Sequence, residues 1–177
     1  MPMPVFAGQA ITTAMLNDMR MRMVVQTENQ EVEGTALVPS EIIVPVQSGA
    51  TYWYQLVMTY SAMNTVSDGG GGISWNWDVP TGTAMPRQTA AISLGSTNNL
   101  NSGRGIILRS PAASTEMRAD GVNDDPDAFM SVHEYGSIQV GGQSGDCTLQ
   151  FAQWEPHSTP TVLRGILRTR CFYARVL

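Results

Sequence analysis

Between residues 51 and 60 the chain alternates with a period of two. Tyr52, Tyr54, Leu56, Met58 and Tyr60 fall on one side, and Trp53, Gln55, Val57 and Thr59 fall on the other. A helix cannot gather such a pattern into one stripe, because its period is 3.6; an extended strand does so at once. The aromatic and β-branched content is what pleated strands favour. A strand with one apolar face needs a second layer to cover it, so this segment predicts a sheet packed on a sheet.

The same reading extends along the chain. Residues 41–46 form a second strand, and Pro45 within it predicts an edge position or a bulge. Ser48-Gly49-Ala50 then turns the chain into the aromatic strand. Residues 73–77 alternate, short strands are expected at 90–94 and 105–109, and residues 128–140 place Phe129, Ser131, His133 and Tyr135 opposite Met130, Val132 and Glu134. Residues 147–154 and 165–176 flank a Pro-containing turn at 155–161, and they read as a hairpin centred near residue 159 that sets Cys147 roughly opposite Cys171. About eight strands joined by short turns, with no internal repeat, predict an all-β fold: an antiparallel β-sandwich or jelly roll. Asp68-Gly69-Gly70-Gly71-Gly72 reads as a mobile hairpin loop; a phosphate-binding loop would need a following Gly-Lys-Ser/Thr and a helix.

The start of the chain differs. Met1-Pro2-Met3-Pro4 is extended, and Thr12 or Thr13 can cap a short helix over residues 14–20. Ile11, Met15, Leu16 and Met19 fall on one face of that helix, which is too short to persist unless it packs on something. The expected organisation is therefore an arm over residues 1–22 and a β-sandwich domain over 23–177, which suits a length of 177 residues.

Composition narrows the function classes. Only 14% of residues are charged, against roughly 25% in ordinary globular domains. Ser, Thr, Asn, Gln and Gly must cover the surface instead, as they do in extracellular-type β-proteins and in subunits that bury much of themselves in an assembly. The net charge is −5 and all ten basic residues are Arg. An acidic chain without a Lys/Arg cluster argues against non-specific nucleic-acid binding. Its one basic concentration, Arg164, Arg168, Arg170 and Arg175, predicts ion pairing between strands or subunits, a task for which planar guanidinium groups are suited. No secretory signal opens the chain and no apolar run is long enough to span a membrane, so two reduced thiols are expected rather than a disulfide.

Catalytic and metal signatures are missing. His133, His157, Cys147 and Cys171 lack zinc spacing, and no nucleophile motif is present. Asp120, Asp124, Asp125 and Asp127 read as a solvated acidic loop with turn-capping side chains, without the order of a calcium loop. No catalytic residue, metal or cofactor is therefore assigned. Trp53, Trp75, Trp77 and Trp154 are candidates either for a glycan-stacking platform or for core and subunit interface.

Four segments carry a family resemblance. The run from Val5 to Asn17 (Val-Phe-Ala-Gly-Gln-Ala-Ile-Thr-Thr-Ala-Met-Leu-Asn), the Ser48-Gly49-Ala50-Thr51-Tyr52 segment, Trp75-Asn76-Trp77-Asp78-Val79-Pro80-Thr81-Gly82, and the close from Leu149-Gln150-Phe151-Ala152-Gln153-Trp154 through Gly165-Ile166-Leu167 to Val176 occur in order over nearly the whole chain. Together they resemble bacteriophage minor tail and tail-fibre-like virion proteins of the actinobacteriophage type. Phe6 stands where Trp is common in that family, and the glycine run at 69–72 is a further departure. The resemblance implies a non-catalytic structural subunit of a phage tail or baseplate, synthesised in the bacterial host cytoplasm. Its β-domain would be a jelly roll comparable to the TNF/C1q type and trimeric. Its arm would dock on other virion proteins through Phe6, Ile11, Met15, Leu16 and Met19. The alternatives are a fibre-tip module that binds host-surface glycan, and a capsid decoration or head-fibre protein.

Overall fold

The long alternating segment is the central strand of a two-layer β-sandwich. The computed structural model describes residues 12, 13, 17, 20–65, 69–92, 106–109, 116–122 and 128–176. Most of the expected N-terminal helix, and with it Phe6, Ile11, Met15, Leu16 and Met19, lies outside them. The strands are β1 (Arg22–Val25), β2 (Gln30–Val32), β3 (Val38–Val46), β4 (Thr51–Ser61), β5 (Gly71–Asp78), β6 (Arg87–Ile92), β7 (Ile106–Arg109), β8 (Met117–Ala119), β9 (Met130–Gln139), β10 (Gly145–Glu155), β11 (Thr161–Leu163) and β12 (Arg170–Arg175).

The larger sheet has the order β1-β12-β4-β9-β6-β7, with β11 beside the end of β4 and β2 beyond it. The smaller sheet has the order β3-β10-β5-β8. The pairing is nested. β1 pairs with β12, β3 with β10, β4 with β9 and β5 with β8, all antiparallel. A chain whose ends pair with each other around progressively inner pairs, wrapped over two sheets, is a jelly roll. The short β6 and β7 extend the larger sheet past β9, and β2 with β11 extends it at the far end of β4.

Nesting corrects one expectation. Segments 147–154 and 165–176 do not pair with each other, because β10 is held in the smaller sheet by β3 and β5 while β12 is held in the larger one by β1 and β4. The chain crosses between layers after residue 155. Cys147 therefore lies opposite Val44, and Cys171 lies opposite Leu56 and Val24, each on the inner face of its own sheet. Both are buried free thiols.

The core is what the alternation predicts. Tyr54, Leu56, Met58 and Tyr60 of β4 face Ile42 and Val44 of β3, Ile73 and Trp75 of β5, and Leu149 and Phe151 of β10, all fully buried. Each such side chain contributes on the order of 1.5–3 kcal/mol relative to exposure. Pro39 and Pro45 sit on β3, the edge of the smaller sheet, where a missing N–H costs no ladder bond. The β3–β10 register shifts between Thr148 and Gln150. There the buried Ser40 hydroxyl donates to the Leu149 carbonyl at 2.8 Å, satisfying an acceptor that the irregular ladder strands.

The glycine run is a second correction. Gly71 and Gly72 open β5, and Gly70, Gly71 and Gly72 are buried rather than looped out. Gly71 has φ +118°, and a Cβ there would lie 2.6 Å from the Met63 carbonyl oxygen. The Gly72 N–H donates to that same oxygen at 2.9 Å. Backbone packs on backbone here, and only a residue without a side chain permits it. Gly71→Ala should therefore destabilise the fold by about 2 kcal/mol or more. Gly34→Ala, where nothing stands within 4 Å, should stay within about 0.5 kcal/mol. Urea denaturation of the two variants checks the contrast.

Candidate functional site

Strand β9 carries a carboxylate on its inward face. Met130, Val132, Glu134 and Ile138 all point into the sandwich and are buried. A charge in that position has to be met by donors, since an unpaired buried carboxylate costs far more than any strand can supply. Glu134 is met from both layers. One carboxylate oxygen accepts from the Tyr54 hydroxyl at 2.9 Å and the Trp77 Nε1 at 2.8 Å. The other accepts from the Trp75 Nε1 at 3.0 Å and the Thr89 hydroxyl at 3.1 Å. Arg87, one strand away on β6, brings Nη1 to 3.4 Å and completes an ion pair with both side chains fully buried. The Arg87 Nη2 donates to the Asn76 Oδ1 at 3.2 Å.

The network ties the sheets together, because Trp75, Asn76 and Trp77 come from β5 of the smaller sheet while Glu134, Tyr54, Arg87 and Thr89 belong to the larger. It corrects the glycan reading for two residues: Trp75 is 0% exposed and Trp77 is 5% exposed, so neither offers a ring to a ligand. Burial, reinforced by the Glu134 carboxylate, pushes the Tyr54 phenol far above its ordinary range. Glu134 itself is 0% exposed. It has no route to a substrate proton, and its place is structural.

Sequence reasoning placed Glu134 on the correct face but did not single it out. The signal was available: a carboxylate sharing a face with Met130 and Val132 has to be paired, and Trp and Tyr are the core residues that carry a donor.

The other candidates resolve one by one. Asp120 is buried rather than solvated, and its carboxylate accepts from the Thr65 and Gly121 N–H groups at 2.9 and 2.8 Å. Asp124, Asp125 and Asp127 lie outside the described residues. Among the described residues no group of three His, Cys, Asp or Glu is placed to hold a metal ion. His133 is exposed on β9, and the His157 Nδ1 accepts from the Thr159 N–H at 2.9 Å. Trp154 is half-buried beneath the Arg118 guanidinium, 3.2 Å from the ring centroid. The C-terminal arginines are laid on rings: Arg164 and Arg168 lie 4.9 and 4.1 Å from the Phe129 centroid, and Arg170 lies 5.9 Å from that of Phe172. Cation–π stacking thus engages three of the four arginines expected to pair strands or subunits, and the fourth, Arg175, donates from Nη1 to the Gln47 Oε1 at 2.9 Å.

Among the described residues two surface features combine exposed apolar side chains with a defined shape. A shallow open trough of about 560 Å³ lies on the outer face of the larger sheet, bounded by Trp53, Pro86, Gln88, Tyr135, Gly136 and Ser137. At one end of the sandwich the turn between β11 and β12 exposes Ile166 (74%) and Leu167 (58%) beside the half-exposed Phe129.

Removing Glu134 takes the shared acceptor from Arg87, Tyr54, Thr89 and the two indoles, and removing Arg87 takes the counter-charge from the buried carboxylate. Glu134→Leu or Arg87→Met alone should cost about 3–5 kcal/mol, and the double variant should cost clearly less than the sum. A double-mutant cycle by chemical denaturation measures this. Burial also raises the Cys147 thiol to about 12 and pushes Cys171 well up. Both thiols should be silent to a thiol reagent at pH 8 in the native protein and should react together on unfolding.

No family model matches the chain, and no curated protein matches it. Among solved structures it is similar to the VP2 protein of infectious bursal disease virus. A mutant VP2 in T=1 particles is 11% identical over 89% of this chain and 36% of that one, with a TM-score of 0.20. The VP2 subviral particle is 11% identical over 89% and 38%, also with a TM-score of 0.20. The virus particle with T13 geometry is 12% identical over 89% and 35%, with a TM-score of 0.22. The chain spans little more than a third of the length of these structures.

Proposed function

We propose that this chain is a non-catalytic structural subunit of a virion, of the bacteriophage minor-tail type. Its β-domain and N-terminal arm would make the contacts of a tail or baseplate assembly. The jelly roll supplies the rigid block, and the four sequence segments quoted above supply the phage-tail affinity.

The observation that carries the assembly reading is the turn between β11 and β12. The Arg168 N–H donates to the Gly165 carbonyl at 3.1 Å, closing a tight turn whose central residues are Ile166 and Leu167 at φ +53° and +64°. Tight turns with two left-handed residues favour Asn-Gly. An aliphatic pair there costs on the order of 1–2 kcal/mol per residue, most at a β-branched one. The chain accepts this strain to hold two apolar side chains in solvent. Phe129 and the guanidinium groups of Arg164 and Arg168 extend the patch. A preorganised apolar tip with a cationic collar suits a shaped protein socket with carboxylates at its rim. A fluid surface would return nothing for the fixed backbone.

In this reading the subunit is a homotrimer in the tail, held by β-domain interfaces, with other virion proteins as partners. The variant Ile166→Asn/Leu167→Gly tests it. Isolated, it should be more stable than the parent by about 1–2 kcal/mol. In infected cells it should fold yet be lost from purified particles, measured by quantitative mass spectrometry. Incorporation at the parental level would remove the tip as the contact. Absence of the parental chain from particles would overturn the virion reading itself.

A further inference from the structure

The trough on the outer face of the larger sheet has its own chemistry, and it follows from the register. Trp53 of β4 lies opposite Ser137 of β9 on one flank and Ala174 of β12 on the other. Both directly paired neighbours are small. The floor continues into Gly136, opposite Arg87. A Cβ at Gly136 would lie 2.2 Å from the Pro86 carbonyl oxygen. The glycine lets the segment before β6 come in close, where the Ser137 N–H donates to that oxygen at 3.1 Å. The result is a low floor of Gly136 and Ser137, with Trp53 as one wall and Pro86, Gln88 and Tyr135 as the other.

The walls are aromatic and the rim is neutral. Trp53 is partly exposed, and its indole N–H makes no hydrogen bond among the described residues. Tyr135 is 41% exposed, and its hydroxyl donates to the Oε1 of Gln88, a lining residue, at 2.6 Å, a bond that does not use the Gln88 amide N–H groups. Ser137 accepts a long 3.5 Å bond from the Gln139 Nε2, and its own O–H remains a donor. The one charged residue of the lining, Arg87, directs its guanidinium inward to Glu134 and Asn76. Ring faces beside amide and hydroxyl groups, without an outward charge, match a ligand that has C–H faces and neutral hydroxyls. That ligand is a sugar. The volume of about 560 Å³ falls in the range of small-molecule sites.

We infer that this trough is a binding site for a neutral oligosaccharide, with Trp53 and Tyr135 stacking on sugar rings and Gln88 and Ser137 bonding to hydroxyls. The inference rests on the outer face alone and not on the virion reading. Loss of sugar binding would leave particle incorporation untouched, and the reverse holds as well.

The test uses the full chain against immobilised gluco-, galacto- and manno-oligosaccharides, with oligouronates as acidic controls. Binding should be found to at least one neutral series and not to the uronates. Trp53→Ala should weaken it about tenfold or more, Trp53→Phe should retain part of it, and circular dichroism should show both variants folded. Failure of every neutral series to bind overturns the inference, as does undiminished binding by Trp53→Ala. Sedimentation of the same variants closes the remaining route: if Trp53→Ala changes the mass of the assembly and not the sugar affinity, the face is an interface between copies and the inference falls.

Discussion

The sandwich is organised around a charge that it cannot leave unpaired. Glu134 sits at the centre of the larger sheet with no exposure to solvent, and its carboxylate oxygens are reached by two indoles from the opposing sheet, a phenol, a hydroxyl and a guanidinium. A buried ion pair of this kind gains little over a well-packed apolar substitute. Its directional bonds, however, are available in only one arrangement. A slip of β9 by a single residue would turn Glu134 to solvent and bring His133 or Tyr135 inside. The same slip would leave two indole N–H groups and the Arg87 charge without their acceptor. Hydrophobic patterning says which face of β9 is buried, and Glu134 adds which residue of β5 must lie beneath it.

How much of this was legible depends on whether the signal is local. The faces of β4 and β9 were readable because burial in a half-covered strand repeats every second residue, and side-chain chemistry records it directly. That β3 lies at an edge or carries a bulge was readable from Pro45 alone, since a missing N–H is a property of one residue. Nested pairing was not readable. Sequence proximity favours β10 with β12, and what separates them is that each has two better partners elsewhere, β3 and β5 for one and β1 and β4 for the other. No segment contains that competition.

The glycine run failed as a signal for a different reason. Composition makes Gly69 to Gly72 look like slack, because glycine costs the most to order. The same residue is the only one that lets a strand begin where Met63 and Ala119 already supply backbone within about 3 Å of an added Cβ. Flexible in isolation and obligatory in contact are the same property seen without and with a neighbour. Gly136 repeats the point on the opposite face, where it brings Pro86 down and opens the trough beside Trp53. Of the candidate site, Trp53 was legible because it stands opposite the tyrosine face of β4. Trp75 and Trp77 were not separable from it by type, since only the third dimension places Glu134 beneath their N–H groups.

The two outward features differ in a way that bears on how the block is used. The tip is apolar and cationic, and its turn is strained before any partner arrives. The trough is aromatic and neutral, on regular sheet that carries no strain of that kind. They also lie apart. The Arg164 N–H donates to the Thr59 carbonyl, which fixes the tip near the end of β4, while Trp53 marks the trough near its start. At about 3.3 Å per residue the interval along the strand is roughly 20 Å. The tip is bonded to β4 and the trough includes Trp53 of β4, and β4 is clamped through Tyr54 to Glu134, so their relative orientation is set by the buried core. A subunit held by its end would then carry the aromatic face outward at a fixed angle to the assembly. A rigid sandwich is suited to that arrangement, and a flexible linker would lose it.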